Sequence, residues 1–585
     1  RRTVNRFRAY FPSDDAPTTD GDAEFRGVNS REHPAVLQEG YVAEARNVRF
    51  DTGAAATRKG VRIMAWGAQG YQGYDPAVIL PYGDVITGAT FSDPIGGMEW
   101  LMISTTGGVF RARPGTMGSR LDVVPGEDVA TAVQLVQTYN GMVMLRGADG
   151  DPLYMDSLED GWRKIPDAAK GKEKMPRCRQ GIYIGNRFVG VDARQDQVHA
   201  DSVWVSDFGG VSSVLQGDTT YNAFRINQGS ADRLTGIAKF NDTTVVCAKG
   251  RSIYVVSEVY GTNDALAQNA RLDEVTSQYG CMAPKSFVEV GNDLWFLGHR
   301  RGICSIRQTE TNALQGVDVP TSREIQGTID RINWEAARLC VAASHDNRIY
   351  FAVPIDGATR NNAVLVYDTV NAAWAGYDTG DAIQVREWVK FSYAGAVRLG
   401  FLTHTGYVAM YEDGYYDHVG DGLGNISYRP IETLLRSRGY GGKISGPKRF
   451  TRMLAKIRTW RPSYTLVVRA DGIAEARAVG SVTRGNVRYV RPHGKADWNP
   501  INSAGDWDSP FREDYAVAAE GMHVTNASGD GTVAFGVLQE WEESRRLRIN
   551  GQHVQAEMQS SRGRLEVASV SVDMQRGPCR NGSYA

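Results

Sequence analysis

Four carboxylates, Glu99, Asp207, Glu258 and Asp378, are the side chains of this sequence best suited to acid–base work. Glycoside hydrolysis needs two carboxyl groups flanking one bond, and in a fold made of repeats they arrive from different repeats without a local spacing. An enzyme reading therefore requires these four to converge. No complete Ser-x-Asp-x-Gly-x-Thr-Trp box accompanies them, and Asp156 to Trp162 echoes only part of one. Other chemistries have less to draw on. There is no Gly-x-Ser-x-Gly elbow and no His-Glu-x-x-His helix. Gly439-Tyr440-Gly441-Gly442-Lys443 has the look of a phosphate cradle, but Ser437 stands where its first Gly belongs and Ile444 where a magnesium-holding hydroxyl belongs, so a flexible turn is expected. The nine histidines, among them His199, His299, His345, His404 and His553, never pair at ligand spacing and read as turn or core residues. Cys178, Cys247, Cys281, Cys304, Cys340 and Cys579 are scattered with no Cys-x-x-Cys, which predicts reduced, buried thiols rather than disulfides or zinc. No catalytic, cofactor or metal site is assigned.

The elements that would position such residues declare themselves by repetition. A turn of Gly, Asn or Asp followed by an apolar strand recurs at 97–103, 140–145, 185–189, 241–247, 292–297, 346–351 and 395–401. The turns are roughly 45 to 55 residues apart, the period of four-stranded propeller blades. A second strand follows each copy: Gly108–Arg111, Leu153–Met155, Val203–Ser206, Ser252–Val255, Ile303–Ile306, Val364–Tyr367 and Tyr407–Met410. In two copies an Asp leads by the same step to a Trp, Asp156 to Trp162 and Asp368 to Trp374, and an inward Trp there would fill the gap between blades. The fold class expected is all-β: a β-propeller of about seven blades with antiparallel β-sandwich-like modules and few short helices. Unrelated hairpins of an all-β chain are the alternative.

Three regions are expected. Residues 1–60 form an N-terminal arm and lead-in segment, 61–425 the propeller, and 426–585 a C-terminal β-rich module contributing to ring contacts. In the first, a helical turn is placed at Tyr41 to Ala45 and a hairpin at Asp51-Thr52-Gly53. Ile325, Ile329 and Ile332 recur at helical spacing after Ser322, predicting a capped helix from Ser322 to Trp334 that bridges two blades. Strands of the last region are placed at 453–458, 464–469, 532–538, 553–558 and 564–572.

Charge narrows the function. With 66 Lys and Arg against 67 Asp and Glu, the chain lacks the global basic footprint of a nucleic-acid binder. No apolar run reaches the ~18 residues of a membrane helix and none follows Arg1-Arg2, so a soluble chain without a secretion signal or membrane insertion is expected. One local basic cluster runs through Arg429, Arg436, Arg438, Lys443, Lys448, Arg449, Arg452, Lys456, Arg458 and Arg461. It reads either as a face toward DNA or an acidic partner, or, preferred, as a solvated sheet face with subunit salt bridges. Asp497-Trp498 and Asp506-Trp507-Asp508 are either exposed contact anchors or aromatics tucked under their own loop.

Several phrases resemble the tail nozzle or tail-hub proteins of short-tailed bacteriophages. They are Glu39-Gly40-Tyr41, Asn47 to Gly53, Thr57-Arg58-Lys59-Gly60, Leu234 to Phe240, Lys249 to Val255, Gly280 to Ser286, Gly291 to Leu297, Gly302-Ile303, and Gly551 to Gln555 with Gly563 to Val567. None is a catalytic signature. The resemblance implies a non-enzymatic virion protein, assembled in the host cytoplasm as a homo-oligomeric ring, commonly a hexamer. Its partners would be a tail adaptor above and tail fibre or tip proteins, and genomic DNA would cross its channel without sequence-specific binding. A lumen rich in Lys and Arg would hold DNA through counterion release, so a neutral or acidic lumen is expected. The axis of one blade ring is narrow, which puts the passage between subunits. Two alternatives stand beside this: a lectin or adhesin propeller with exposed aromatic pockets, and a glycan-cleaving propeller.

Overall fold

The computed structural model describes residues 18–64, 84–93, 97–112, 119–121, 132–158, 161–194, 196, 198–307, 309, 319–393, 395–414, 416–420, 426–442, 448–471, 477–483 and 539–576. The arm before Thr18, the two acidic Trp loops, the strand expected at 532–538, Lys443, Ile444 and Cys579 lie outside them. The chain divides into two compact units, one of residues 58–431 with 526–530, the other of 1–57, 432–525 and 531–585.

The first unit is an all-β propeller. Its antiparallel sheets follow one another in chain order: Val85–Ser92 to Ser119–Leu121; Gln134–Gln137 to Arg163–Lys164; Cys178–Ile184 to Ala223–Arg225; Leu234–Asn241 to Arg271–Thr276; Val288–Val290 to Gly302–Ser305; Val341–His345 to Ala373–Thr379; and Val385–Tyr393 with Ala396–Thr403 and Val408–Tyr411. Each recurring phrase read from the sequence is the turn into the second strand of a sheet, and each follower is its third strand. Those second strands are buried on both faces, as in Met142–Arg146 and Thr244–Lys249, which is why they read as continuous apolar runs. Gly185-Asn186 and Asp346-Asn347 take positive φ at both positions, as two-residue hairpin turns require.

Apolar side chains are shared between neighbouring sheets. Phe91, Met102 and Val109 cluster with Met144, Leu153 and Trp162 of the next sheet, and Val136 and Leu145 with Phe188 and Trp204 of the one after. Each such side chain contributes roughly 1.5–3 kcal/mol on burial. Trp162 and Trp374 are both buried, as the Asp-to-Trp step implied. The ring closes twice: Leu101, Ile103 and Phe110 of the first sheet pack with Val389, Phe391 and Leu402 of the last, and Val61–Ile63 adds a strand to that last sheet beside Val408–Tyr411.

Two helical expectations are corrected. Tyr41 to Ala45 is not helical but carries the short strands Tyr41–Val42 and Glu44–Arg46, while the hairpin at Asp51 joins Val48–Arg49 to Ala55–Thr57 as expected. From Ser322 onward only a 3-10 turn, Arg323–Ile325, and one α-helical turn, Gln326–Ile329, form. The three isoleucines are buried at their helical spacing, but the Ser322 hydroxyl accepts from Ile303 N–H at 2.9 Å and does not cap.

The second unit is built on an antiparallel sheet folded over on itself, with a short parallel pair, Gly27–Val28 and Tyr41–Val42, besides. The strands expected at 453–458 and 464–469 are parts of a single strand, Lys448–Ala470, and those at 553–558 and 564–572 are parts of Val554–Arg576. These two pair along their lengths. A straight strand of 23 residues would span about 75 Å. Yet Lys448 opposes Gly551 while Ala470 opposes Val554, so its two ends lie beside neighbouring residues. The strand must double back, and it does so at the register shift between Trp460 and Ser463, where Pro462 has no N–H to give. Phe450, Met453, Ala455 and Ile457 before the bend, and Tyr464, Leu466 and Val468 after it, are buried. The strands Thr18–Asp22, Ala55–Thr57 and Thr433–Arg436 extend the sheet along Val554–Arg576.

Candidate functional site

The innermost strands of the propeller share a device that the repeat alone did not reveal. Near the start of four of them one residue is left out of the ladder: Ile86, Arg179, Thr235 and Arg386. A bulge re-aims the side chains around it. The residues that follow, Thr87, Gln180 and Glu387, line an axial cavity of about 320 Å³, with Gln134, Lys239, Lys285 and Glu289. At the fourth, Gly236, a Cβ would lie 2.0 Å from Gln180 Oε1 and 2.4 Å from Pro284, so the close approach there needs glycine.

Polar side chains bridge the innermost strands of neighbouring blades. Gln134 donates to Gly181 O at 3.1 Å and accepts from Gly181 N–H at 2.9 Å; Gln180 does the same with Ile237, at 2.9 Å in both directions. Gln137 and Ser92 form a third reciprocal pair. Each primary amide thus pairs with both backbone groups of one residue on the neighbouring blade's innermost strand. Lys285 pairs with Glu387, which also accepts from the Thr87 hydroxyl at 3.2 Å.

A second polar centre sits where the closing strand enters. Arg58, fully buried, forms a two-pronged pair with Asp417 at 2.8 and 2.6 Å, and its Nε lies 3.8 Å from Asp378. Asp417 also accepts from Val61 N–H at 3.1 Å, and Asp378 from the Tyr411 hydroxyl. Burial works against the Arg58 charge, but the two carboxylates more than compensate and hold its pKa above the usual value. This is a clasp for the ring closure rather than a reacting centre.

The four carboxylates singled out from the sequence occupy four separate surroundings. Glu99 accepts from Ser392 N–H at 3.1 Å, joining the first sheet to the last. Asp207 is held by Lys172 at 2.8 Å, Asp218 N–H and Asn263. Glu258 is exposed in a left-handed turn after Ile253–Ser257, and Asp378 belongs to the Arg58 clasp. The glycine cradle is already filled: Gly441 and Gly442 N–H donate to Asp20 Oδ2 at 3.0 and 2.8 Å, beside Arg438. Burial raises the Asp20 pKa, yet the Arg438 guanidinium and those two N–H groups together hold it below the usual carboxylate value.

Most described members of the basic cluster are spent within the second unit. Arg436 pairs with Glu44 and Glu557, Arg438 with Asp20 and Asp22, Arg452 with Glu542, and Arg458 with Glu566. Lys448 donates to Gln552 O at 2.7 Å, and Arg429, Arg449 and Lys456 are exposed. Among histidines, His199 is a turn residue bonded to Asp196, whereas burial, aided by nearby arginines, pushes His404 and His418 down to about 4. Cys178, Cys247, Cys281, Cys304 and Cys340 are free and buried; burial pushes the Cys247 thiol up to about 12. Among the described residues no group of three His, Cys, Asp or Glu is placed to hold a metal ion, and no helix is long and apolar enough to cross a membrane.

No protein-family model and no curated protein matches the sequence. Among solved structures, the one described as "YCF48 bound to D1 peptide" is similar at 12% identity with a TM-score of 0.33, covering 61% of this chain and 98% of that one. At that TM-score the likeness carries no argument, and the class rests on the succession of antiparallel sheets alone. The class defined here is therefore the β-propeller, a fold that hosts many unrelated functions.

Proposed function

We propose that this chain is a structural subunit of a phage virion, a tail nozzle or hub whose copies assemble as a ring, commonly a hexamer, around a passage for the genome. On this reading the successive sheets are the blades, about seven of them, and the folded-over sheet is the sandwich-like module. The observation that carries the reading is the fate of the basic cluster. Cations that would hold phosphates are bound instead to carboxylates of the same unit, as in Arg438 with Asp20 and Asp22. The axial cavity supports the same view, because 320 Å³ with the Lys285–Glu387 pair in its lining leaves no room for a duplex, which favours a passage between copies. Tail adaptor and fibre or tip proteins are the further partners of this reading. Negative-stain imaging of the purified chain tests it: rings support the nozzle, and dispersed single copies at assembly concentrations contradict it.

A second reading draws on Phe208 and Tyr260, exposed aromatics near Arg187, whose guanidinium lies 5.8 Å from the Phe208 ring centroid and donates to Gly261 O at 2.8 Å. Exposed rings beside polar groups suit a host-surface glycan. Binding on a glycan array, lost in Phe208→Ala, would favour that adhesin role.

A further inference from the structure

The bulge at Arg179 does more than begin an innermost strand. Together with Arg194 and Arg233 it lines a cleft of about 70 Å³, shared with Val191, Asp192, Ala200, Asp201 and Leu234. By the 10–15 Å³ needed to hold one water, that space takes about five waters or one small anion with its hydration. The cleft lies between two neighbouring blades, those beginning with Cys178–Ile184 and Leu234–Asn241.

The charges in the cleft are unequally employed. Arg194 is committed: it grips Asp192 through Nε at 3.0 Å and a terminal nitrogen at 2.6 Å, and its other nitrogen reaches Glu173 at 2.7 Å. Asp201 is committed as well, accepting from Leu234 N–H at 2.8 Å with the buried Lys249 ammonium 3.5 Å away. Arg179 and Arg233 are different. Both are exposed, and neither guanidinium has a hydrogen-bond or ion-pair partner among the described residues. Three cationic side chains, Arg179, Arg194 and Arg233, therefore line the cleft with two carboxylates, Asp192 and Asp201. One positive charge is in excess, and it resides on two forked donors at the cleft mouth.

We infer that this cleft is a binding site for a single carboxylate, taken between the Arg179 and Arg233 guanidinium groups. Planar forks match a carboxylate two bonds at a time. A phosphate matches them too, but it carries about −1.5 to −2 at neutral pH. The Asp192 and Asp201 carboxylates in the wall disfavour that second charge, and the excess of one favours a monoanion. The group is presented either by a free small acid or by the C-terminus of a docking peptide. The inference is independent of ring assembly, since both blades belong to one chain.

The test uses the full chain at pH 7 and constant ionic strength, with thermal unfolding followed against sodium acetate, sodium phosphate, and an N-acetylated oligoglycine as free acid and as amide. The expected result is a saturable rise in midpoint with acetate, absent in the R179Q/R233Q double variant. Both residues are exposed and unpartnered, so the variant's midpoint in chloride should match the parent's. A free-acid peptide that saturates at lower concentration than acetate, while its amide does nothing, assigns the site to a chain terminus; equal saturation assigns it to small acids. Stronger stabilisation by phosphate, or equal responses of parent and variant to acetate, would overturn the inference.

Discussion

In the propeller each sheet but the last takes its strands from nearby stretches of chain, the last being closed by Val61–Ile63, whereas the second unit builds one sheet from segments as distant as Thr18–Asp22 and Val570–Met574. The difference extends to how each is held. The propeller relies on apolar clusters shared between successive sheets, amide bridges such as Gln180 to Ile237, and one buried clasp at Arg58. The folded-over sheet is laced by ion pairs at several depths, from Arg438 with Asp22 to the exposed Arg452 with Glu542. Locally assembled repeats form without long loop closures, while the sheet must bring together residues hundreds of positions apart. One unit is thus a ring that stands or falls at its closure, and the other a web in which single exposed pairs matter little.

The largest effect should come from breaking the closure. Arg58→Met leaves Asp417 and Asp378 buried without their counter-charge, which costs about 3–5 kcal/mol. Urea unfolding followed by hydrogen exchange in 61–63 and 408–411 should show this; a change under ~1 kcal/mol would dismiss the clasp.

Acid should separate the two units next. Burial depresses the imidazoles of His299, His345, His404 and His418 in the propeller, against His553 in the other unit. For His404, with Arg360, Arg386 and Asp84 around it, and His418, with Arg62 and Asp413, the folded value is about 4. Because the unfolded chain takes up protons at about 6.5 that the fold refuses until about 4, stability is full above pH 6.5 and falls as pH drops toward 4, by up to about 1.4 kcal/mol per unit for each group. Asp20 and Glu557, held below their usual values, keep their contribution to the second unit in full until pH falls to about 4.5. The propeller should therefore lose exchange protection first between pH 6.5 and 4.5, with a shallower slope in His404→Gln. Simultaneous loss in both units, unchanged by that substitution, would contradict the assignment.

A smaller and more local effect is expected at Gly21. A Cβ there would meet Val570 O at 2.5 Å and Ser571 Cβ at 2.7 Å, so Gly21→Val should displace the strand Thr18–Asp22 at a cost of about 1–3 kcal/mol. Exchange should rise in 18–22 and 570–574 and stay unchanged in the propeller. Smallest of all, Arg452→Met removes an exposed pair and should change stability by less than about 1 kcal/mol. A loss as large as that at Arg58 would erase the contrast drawn between ring and web.

How much of this was legible in the residues differs between the units for the same reason. The propeller strands announced themselves because a buried second strand repeats its apolar run, and Trp162 and Trp374 marked where neighbouring sheets need a large filler. The bulges at Ile86, Arg179, Thr235 and Arg386 left no trace, since an unpaired residue has no preferred type. Nor did Arg58 with Asp417, partners 359 positions apart. In the second unit the two long strands were found but cut in two, and Arg477–Thr483 and Gln539–Gly551 were not foreseen: the pattern breaks at Pro462, and only the pairing of Lys448 with Gly551 and Ala470 with Val554 shows one strand doubling back. The glycine cradle was seen as a turn without its occupant, because Asp20 lies over four hundred positions away.

The proposed assembly of this chain into a ring of its own copies is tested most directly by imaging. Cryo-electron microscopy of the purified chain or of its source particle should show a closed ring of identical subunits, with a neutral or acidic passage between copies rather than along a propeller axis. Particles no larger than one 64.2 kDa chain, or a ring whose passage is lined by Lys and Arg, would contradict it.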